Sequence, residues 1–195
     1  KYRWPSYVFQ LPDAMRAARM GETYFSDMNL NDRRNGASSA EVLAHETVHQ
    51  WWGLSGQCLD EENMDWTNEG VTVYTTYRIA KERFGEEYAR KNYVEKWKEA
   101  VDDRKKNFYN RHPEYLKILP EKYAAELRSG NIGTGEYSLM PLMIYKAARL
   151  AGGEKRMDDI LAGLYKNGGE TMPPFITYGD FLKACGLSGK ELDLD

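Results

Sequence analysis

His45, Glu46 and His49 are the residues whose types and spacing could do chemistry. They form His-Glu-x-x-His within Ala44-His45-Glu46-Thr47-Val48-His49-Gln50-Trp51-Trp52-Gly53. On an α-helix, positions four apart lie on one face with their Cβ atoms about 5–6 Å apart. Two imidazoles so placed can close on one Zn²⁺ at about 2.0–2.1 Å each. Glu46 follows the first histidine, so it points about 100° round the helix. There it can sit beside an open metal position without ligating, where a general base for water belongs.

Such a pair of ligands needs a rigid helix behind it, and the flanking residues suit one. Ser38-Ser39-Ala40-Glu41 reads as a capping box, with Ser38 as N-cap and Glu41 three residues on. Val42, Leu43, Val48, Trp51 and Trp52 supply apolar bulk, and Gly53 is a natural stop. A polar connector follows, from Ser55 to Asp65. Trp66 to Ala80 then reads as a second long helix, ended by Gly85, with Glu69 in its first turn.

Catalytic zinc takes three protein ligands and keeps one position for water, and His₂Glu is an established set. A third histidine at the metzincin spacing is excluded, because Trp52 and Ser55 occupy the required positions. His112 lies in the polar run Asn110-Arg111-His112-Pro113 and reads as solvent-exposed. A downstream carboxylate on another helix is therefore expected, with Glu69 the best candidate. Asp60, Glu61, Glu62 and Asp65 sit in the connector and are less fixed.

The 195 residues are 42% hydrophobic and 29% charged, enough for a sizeable core. The net charge of -3 gives no reason to expect a nucleic-acid or anionic-membrane partner. No run is long and apolar enough for a transmembrane segment. The chain reads as an excised domain that begins mid-protein, so the compartment of the parent is not legible. The two cysteines, Cys58 and Cys185, are too few for a disulfide framework.

Residues 1–37 read as strands and loops, through Lys1 to Pro12 and Met20 to Ser26. Residues 38–195 read as a helical zinc-binding portion of the same domain. The expected fold class is thus α+β, a short sheet region followed by a mainly helical body. Within that body Glu86 to Phe108 is a charged helix with Tyr93, Trp97, Ala100 and Val101 inward. Pro120 to Ser129 is a short helix, and Gly152-Gly153 is a break. Met157, Ile160, Leu161 and Leu164 form the apolar stripe of a helix over Arg156 to Lys166.

The run His45-Glu46-x-x-His49-Gln50-Trp51-Trp52-Gly53, followed by Asn68-Glu69-Gly70, resembles the aminopeptidase N-like gluzincins. Those zinc peptidases carry H-E-x-x-H, x-W-x-G and N-E-G, with eighteen residues between the second histidine and the ligand glutamate. This chain has nineteen, an extra residue that a loop can absorb. The resemblance implies a thermolysin-like helical body, one Zn²⁺ held by His45, His49 and Glu69, and Glu46 as general base. Tyr137, at the start of Tyr137 to Tyr145, is similar to the family tyrosine that hydrogen-bonds the oxyanion. Leu139 and Met140 stand where the family has lysine and glycine. Thr177-x-x-Asp180-Phe181 resembles a segment near the end of the family's catalytic domain. Glu22, in Met20-Gly21-Glu22, is similar in part to the G-x-M-E-N strand that receives a substrate ammonium.

What this implies is a metallopeptidase acting on a peptide or protein substrate, an aminopeptidase by resemblance. A parent chain would add flanking domains. The alternatives are an endopeptidase using the same residues and a non-catalytic, peptide-binding member.

Overall fold

The computed structural model describes residues 39–49, 51–52, 57–58, 66–125, 135–167 and 175–192. The chain divides into two compact units, 1–47 and 48–195. Of the first, the described residues 39–47 are all helical. They belong to helix α1, Ser39–Val48. Its Glu41 is buried rather than facing solvent. Ser38, the expected N-cap, and Gly53, the expected stop, lie outside the described residues. The helix ends earlier than expected, at Val48. The backbone N–H groups of Trp51 and Trp52 both turn back to the Val48 carbonyl, at 2.9 and 3.1 Å. This satisfies one of the end carbonyls that a helix otherwise leaves open.

The expected α+β fold is overturned. The described residues are almost wholly helical. Their one sheet pairing is parallel, Gln57–Cys58 against Phe175–Ile176, two residues on each side. A pairing this short joins two loop ends, with Ile176 buried in the core. The strands expected within 1–37, and any boundary at 37, fall outside what is described.

In the second unit the apolar residues recur at helical spacing, so helices carry the core. A five-residue π-turn, Trp66–Gly70, leads into α2, Val71–Phe84. Gly85 closes α2 at a φ of +92°, a conformation a side chain would strain. Next come α3, Glu86–Ala89, a second π-turn, Arg90–Val94, and α4, Glu95–Lys106. The single charged helix expected from Glu86 to Phe108 therefore runs on with a wide turn inside it and ends at Lys106, capped by Asn107. That residue's side chain accepts the N–H groups of Tyr109 and Asn110 and starts α5, Phe108–Arg111. Of the expected inward residues, Trp97 and Val101 are buried, and Tyr93 and Ala100 half-buried.

Residues 121–125 are helical, and the third π-turn is Gly135–Leu139. It opens α6, Met140–Leu150, with Pro141 in the first turn, where its missing N–H costs nothing. Gly152 and Gly153, both at positive φ, make the expected break before α7, Glu154–Asn167. Met157, Ile160, Leu161 and Leu164 are its buried face. The last helix, α8, spans Tyr178–Cys185. Its Thr177 and Asp180 form a reciprocal capping box, and Phe181 is fully buried beside them. That explains the Thr177-x-x-Asp180-Phe181 pattern physically: a helix start followed by a core anchor.

The core centres on Tyr77 of α2. Its ring meets those of Tyr74, Tyr93, Trp97 and Tyr145 at 5.5–6.0 Å. Burying such a ring contributes about 1.5–3 kcal/mol, and edge-on ring pairs add to it. Polar groups tie α2 to α7. The Glu154 carboxylate accepts hydrogen bonds from the Tyr77 hydroxyl, Arg78 and Lys81. Arg78 also grips Asp158 with two N–H groups, at 3.0 and 2.7 Å. Burial alone would raise the Glu154 pKa. The hydrogen bonds from Lys81 and Tyr77 and the charge of Arg78 outweigh it and hold the carboxyl below the usual range.

Candidate metal centre

His49 lies one residue beyond α1, in the turn that closes it. Its side chain is 13% exposed. Its Nδ1 faces the Trp52 carbonyl oxygen at 3.2 Å and the Thr72 hydroxyl at 3.4 Å. A carbonyl can only accept, so Nδ1 carries the hydrogen, and in the neutral ring Nε2 is the nitrogen with the lone pair. An imidazole held in this way, through one nitrogen by main chain, presents the other as a metal ligand.

Opposite that lone pair stands Glu69. The π-turn Trp66–Gly70 buries it, and its Oε2 is 3.7 Å from His49 Nε2. That is too long for a hydrogen bond. It is close to the separation of about 3.3 Å that two ligands take on one tetrahedral zinc. Thr72, fully buried, lies three residues after Glu69, so one face of the chain supplies both the carboxylate and a partner for His49.

His45 completes the set from one helical turn before His49. One ligand atom from each of His45, His49 and Glu69 lies within 4.8 Å of the other two. Two imidazole nitrogens and a carboxylate oxygen are a donor set that zinc accepts, and a fourth position is left over. The residues present therefore fit a single divalent ion, and could hold one.

The other candidates stand as follows. Glu46 lies on α1 between the two histidines. Glu22 lies outside the described residues, as do the connector carboxylates Asp60, Glu61, Glu62 and Asp65. Tyr137 sits in the π-turn Gly135–Leu139 and is 45% exposed. That turn packs directly against the turn holding Glu69. His112 ends α5, with its Nδ1 3.2 Å from Glu114, and takes no part in the cluster.

Sequence reasoning missed two contributors, Thr72 and the Trp52 carbonyl. The three-residue step from Glu69 to Thr72 was a usable signal for the first. A main-chain carbonyl carries no signal of its own. The π-turns under Glu69 and Tyr137 were also missed; Glu69 was expected in an ordinary first helical turn. Wide turns of this kind are enriched at functional sites.

Among the described residues the geometry defines a class: a cluster of two imidazoles and one carboxylate that could hold a metal ion. Over 62 residues the chain is 42% identical to leukotriene A-4 hydrolase from Xenopus laevis. The match takes in 32% of this chain and 10% of that protein, so it spans about a tenth of the relative's length. It gives loose support to the gluzincin resemblance and to a hydrolase. No family model and no solved structure matches the chain. No helix among the described residues is long and apolar enough to cross a membrane.

Proposed function

We propose that this chain carries the chemistry of a zinc-dependent peptidase, and within that class of an aminopeptidase. The observation that supports it is the approach of His45, His49 and Glu69 to within one ion's reach of each other. In this reading those three residues hold Zn²⁺. The ion supplies a Lewis acid and brings the pKa of water down to about 7. Glu46 accepts the proton of the attacking water and hands it to the leaving amine. Tyr137 donates its phenol hydrogen to the oxygen on which negative charge develops. Glu22 offers a carboxylate to the substrate ammonium, which would make the action exopeptidic.

The test is Glu46→Gln. The variant should bind zinc as the parent does and lose turnover by at least about a hundredfold, the scale of general acid–base catalysis. Unchanged peptide cleavage would remove Glu46 from the mechanism. Comparing free and amino-terminally blocked peptides separates the exopeptidase from an endopeptidase, since only the latter cleaves the blocked ones.

A further inference from the structure

Thr72 and Thr76 sit one turn apart on α2, and both are buried, at 0% and 4% exposure. A buried hydroxyl is costly unless it finds a partner. Thr76 finds one in the usual helical way. Its hydroxyl donates to the Thr72 carbonyl, four residues back, at 2.8 Å. Thr72 spends its hydroxyl differently. Its Oγ1 meets His49 Nδ1, 23 residues earlier in the chain, at 3.4 Å. Two like side chains on one helix thus take different partners, and only the one three residues from Glu69 reaches the metal cluster.

The contact adds a second oxygen beside Nδ1, where the Trp52 carbonyl already stands at 3.2 Å. The two oxygens come from separate segments, the turn after α1 and the first turn of α2. A single acceptor leaves the ring free to swing about one line, whereas two from different segments hold its plane as well. Across the ring, Glu69 Oε2 lies 3.7 Å from Nε2. Its negative charge favours a hydrogen on Nε2, the tautomer that cannot ligate through that atom. The oxygens at Nδ1 pull the hydrogen the other way.

We propose that Thr72 is a positioning residue for His49. Its buried hydroxyl shares the Nδ1 hydrogen with the Trp52 carbonyl and so keeps the Nε2 lone pair turned toward Glu69. Because Glu69 and Thr72 are three residues apart, the carboxylate that binds and the hydroxyl that aims are fixed relative to each other. The consequence for zinc rests on the proposed metal reading; the effect on the imidazole does not.

The experiment follows the histidine ring nitrogens of the isotope-labelled, chelator-treated chain by NMR at about pH 8, where a free imidazole is neutral. A zinc titration against a competing chelator follows. In the parent chain His49 should carry its hydrogen on Nδ1. Thr72→Val, which puts a methyl where the hydroxyl was, should move a measurable share of that hydrogen to Nε2 and weaken zinc binding by about tenfold. Thr72→Ser keeps a hydroxyl and should return zinc affinity to within about threefold of the parent, with the parent's tautomer. Thr76→Val removes the neighbouring buried hydroxyl and should change neither reading. An Nε2–H tautomer in the parent, an unchanged tautomer or zinc affinity in Thr72→Val, or an equal loss of zinc in Thr76→Val would overturn the proposal. A parent that binds no zinc would remove the metal reading, and the tautomers of the metal-free chains would still decide the role of Thr72.

Discussion

If His45, His49 and Glu69 hold one ion, zinc must stabilise the folded chain, and Glu69→Gln must abolish that effect. The substitution is isosteric. It leaves a carbonyl oxygen where Oε2 lies 3.7 Å from His49 Nε2, and removes the negative charge that makes the oxygen a strong ligand. A ligand that binds only the native state at about one hundred times its Kd stabilises by about 2.7 kcal/mol. In a domain of this size each kcal/mol moves Tm by about 2–4 °C. Zinc should therefore raise Tm by about 5–10 °C, measured by thermal denaturation against a chelator-treated control. Glu69→Gln at the same free zinc should keep its metal-free Tm within about 1 °C and show little zinc response. The full response in Glu69→Gln would move the third ligand elsewhere, with the connector carboxylates the next to test. No response in the parent chain would end the metal reading.

Two further outcomes concern the body that carries the site. Glu154→Ala should destabilise by about 2–3 kcal/mol in urea unfolding, chiefly because the hydroxyl of the buried Tyr77 loses its acceptor. The flanking ion pairs add little, since Arg78 keeps Asp158. A loss under about 0.5 kcal/mol would show that the α2–α7 link is not structural. Because the folded-state pKa of Glu154 is depressed, its contribution is present above the ordinary glutamate value of 4.5 and lost as pH falls through the folded value. The parent chain should thus lose stability in acid more steeply than the variant. Burial pushes the Cys185 thiol up to about 11, so in a Cys58→Ser background a thiol reagent at pH 8 should react only after unfolding. Rapid labelling of the native variant would contradict that burial.

What the sequence made legible was local. The His45–His49 pairing follows from a four-residue step on one helix, and needs no knowledge of the rest of the chain. Glu69 was legible because the need for a third ligand met a glutamate at the start of the next helix. The apolar stripe of α7 and the glycine break before it are likewise short-range patterns. The fold class was not legible, because aromatic and β-branched residues between prolines near the amino terminus were given weight that the described, mainly helical residues do not bear out. Among the described residues only four sit in strands. The wide turns beneath Glu69 and Tyr137 pack against each other, a long-range pairing that no local residue pattern encodes. The last helix, beginning at Thr177, was legible too, since Ser/Thr followed three residues later by an acid is itself a helix start.

The Trp52 residue faces two ways. Its carbonyl steadies His49, while its ring lies edge-on to Tyr165 of α7 at 5.9 Å. The imidazole's tilt is consequently inherited from the aromatic interior rather than set by the motif. Grafting His-Glu-x-x-His and a glutamate onto a softer scaffold would reproduce the donors without their aim. Drift at Tyr165, which is no part of the cluster, would detune the centre without altering a single ligand.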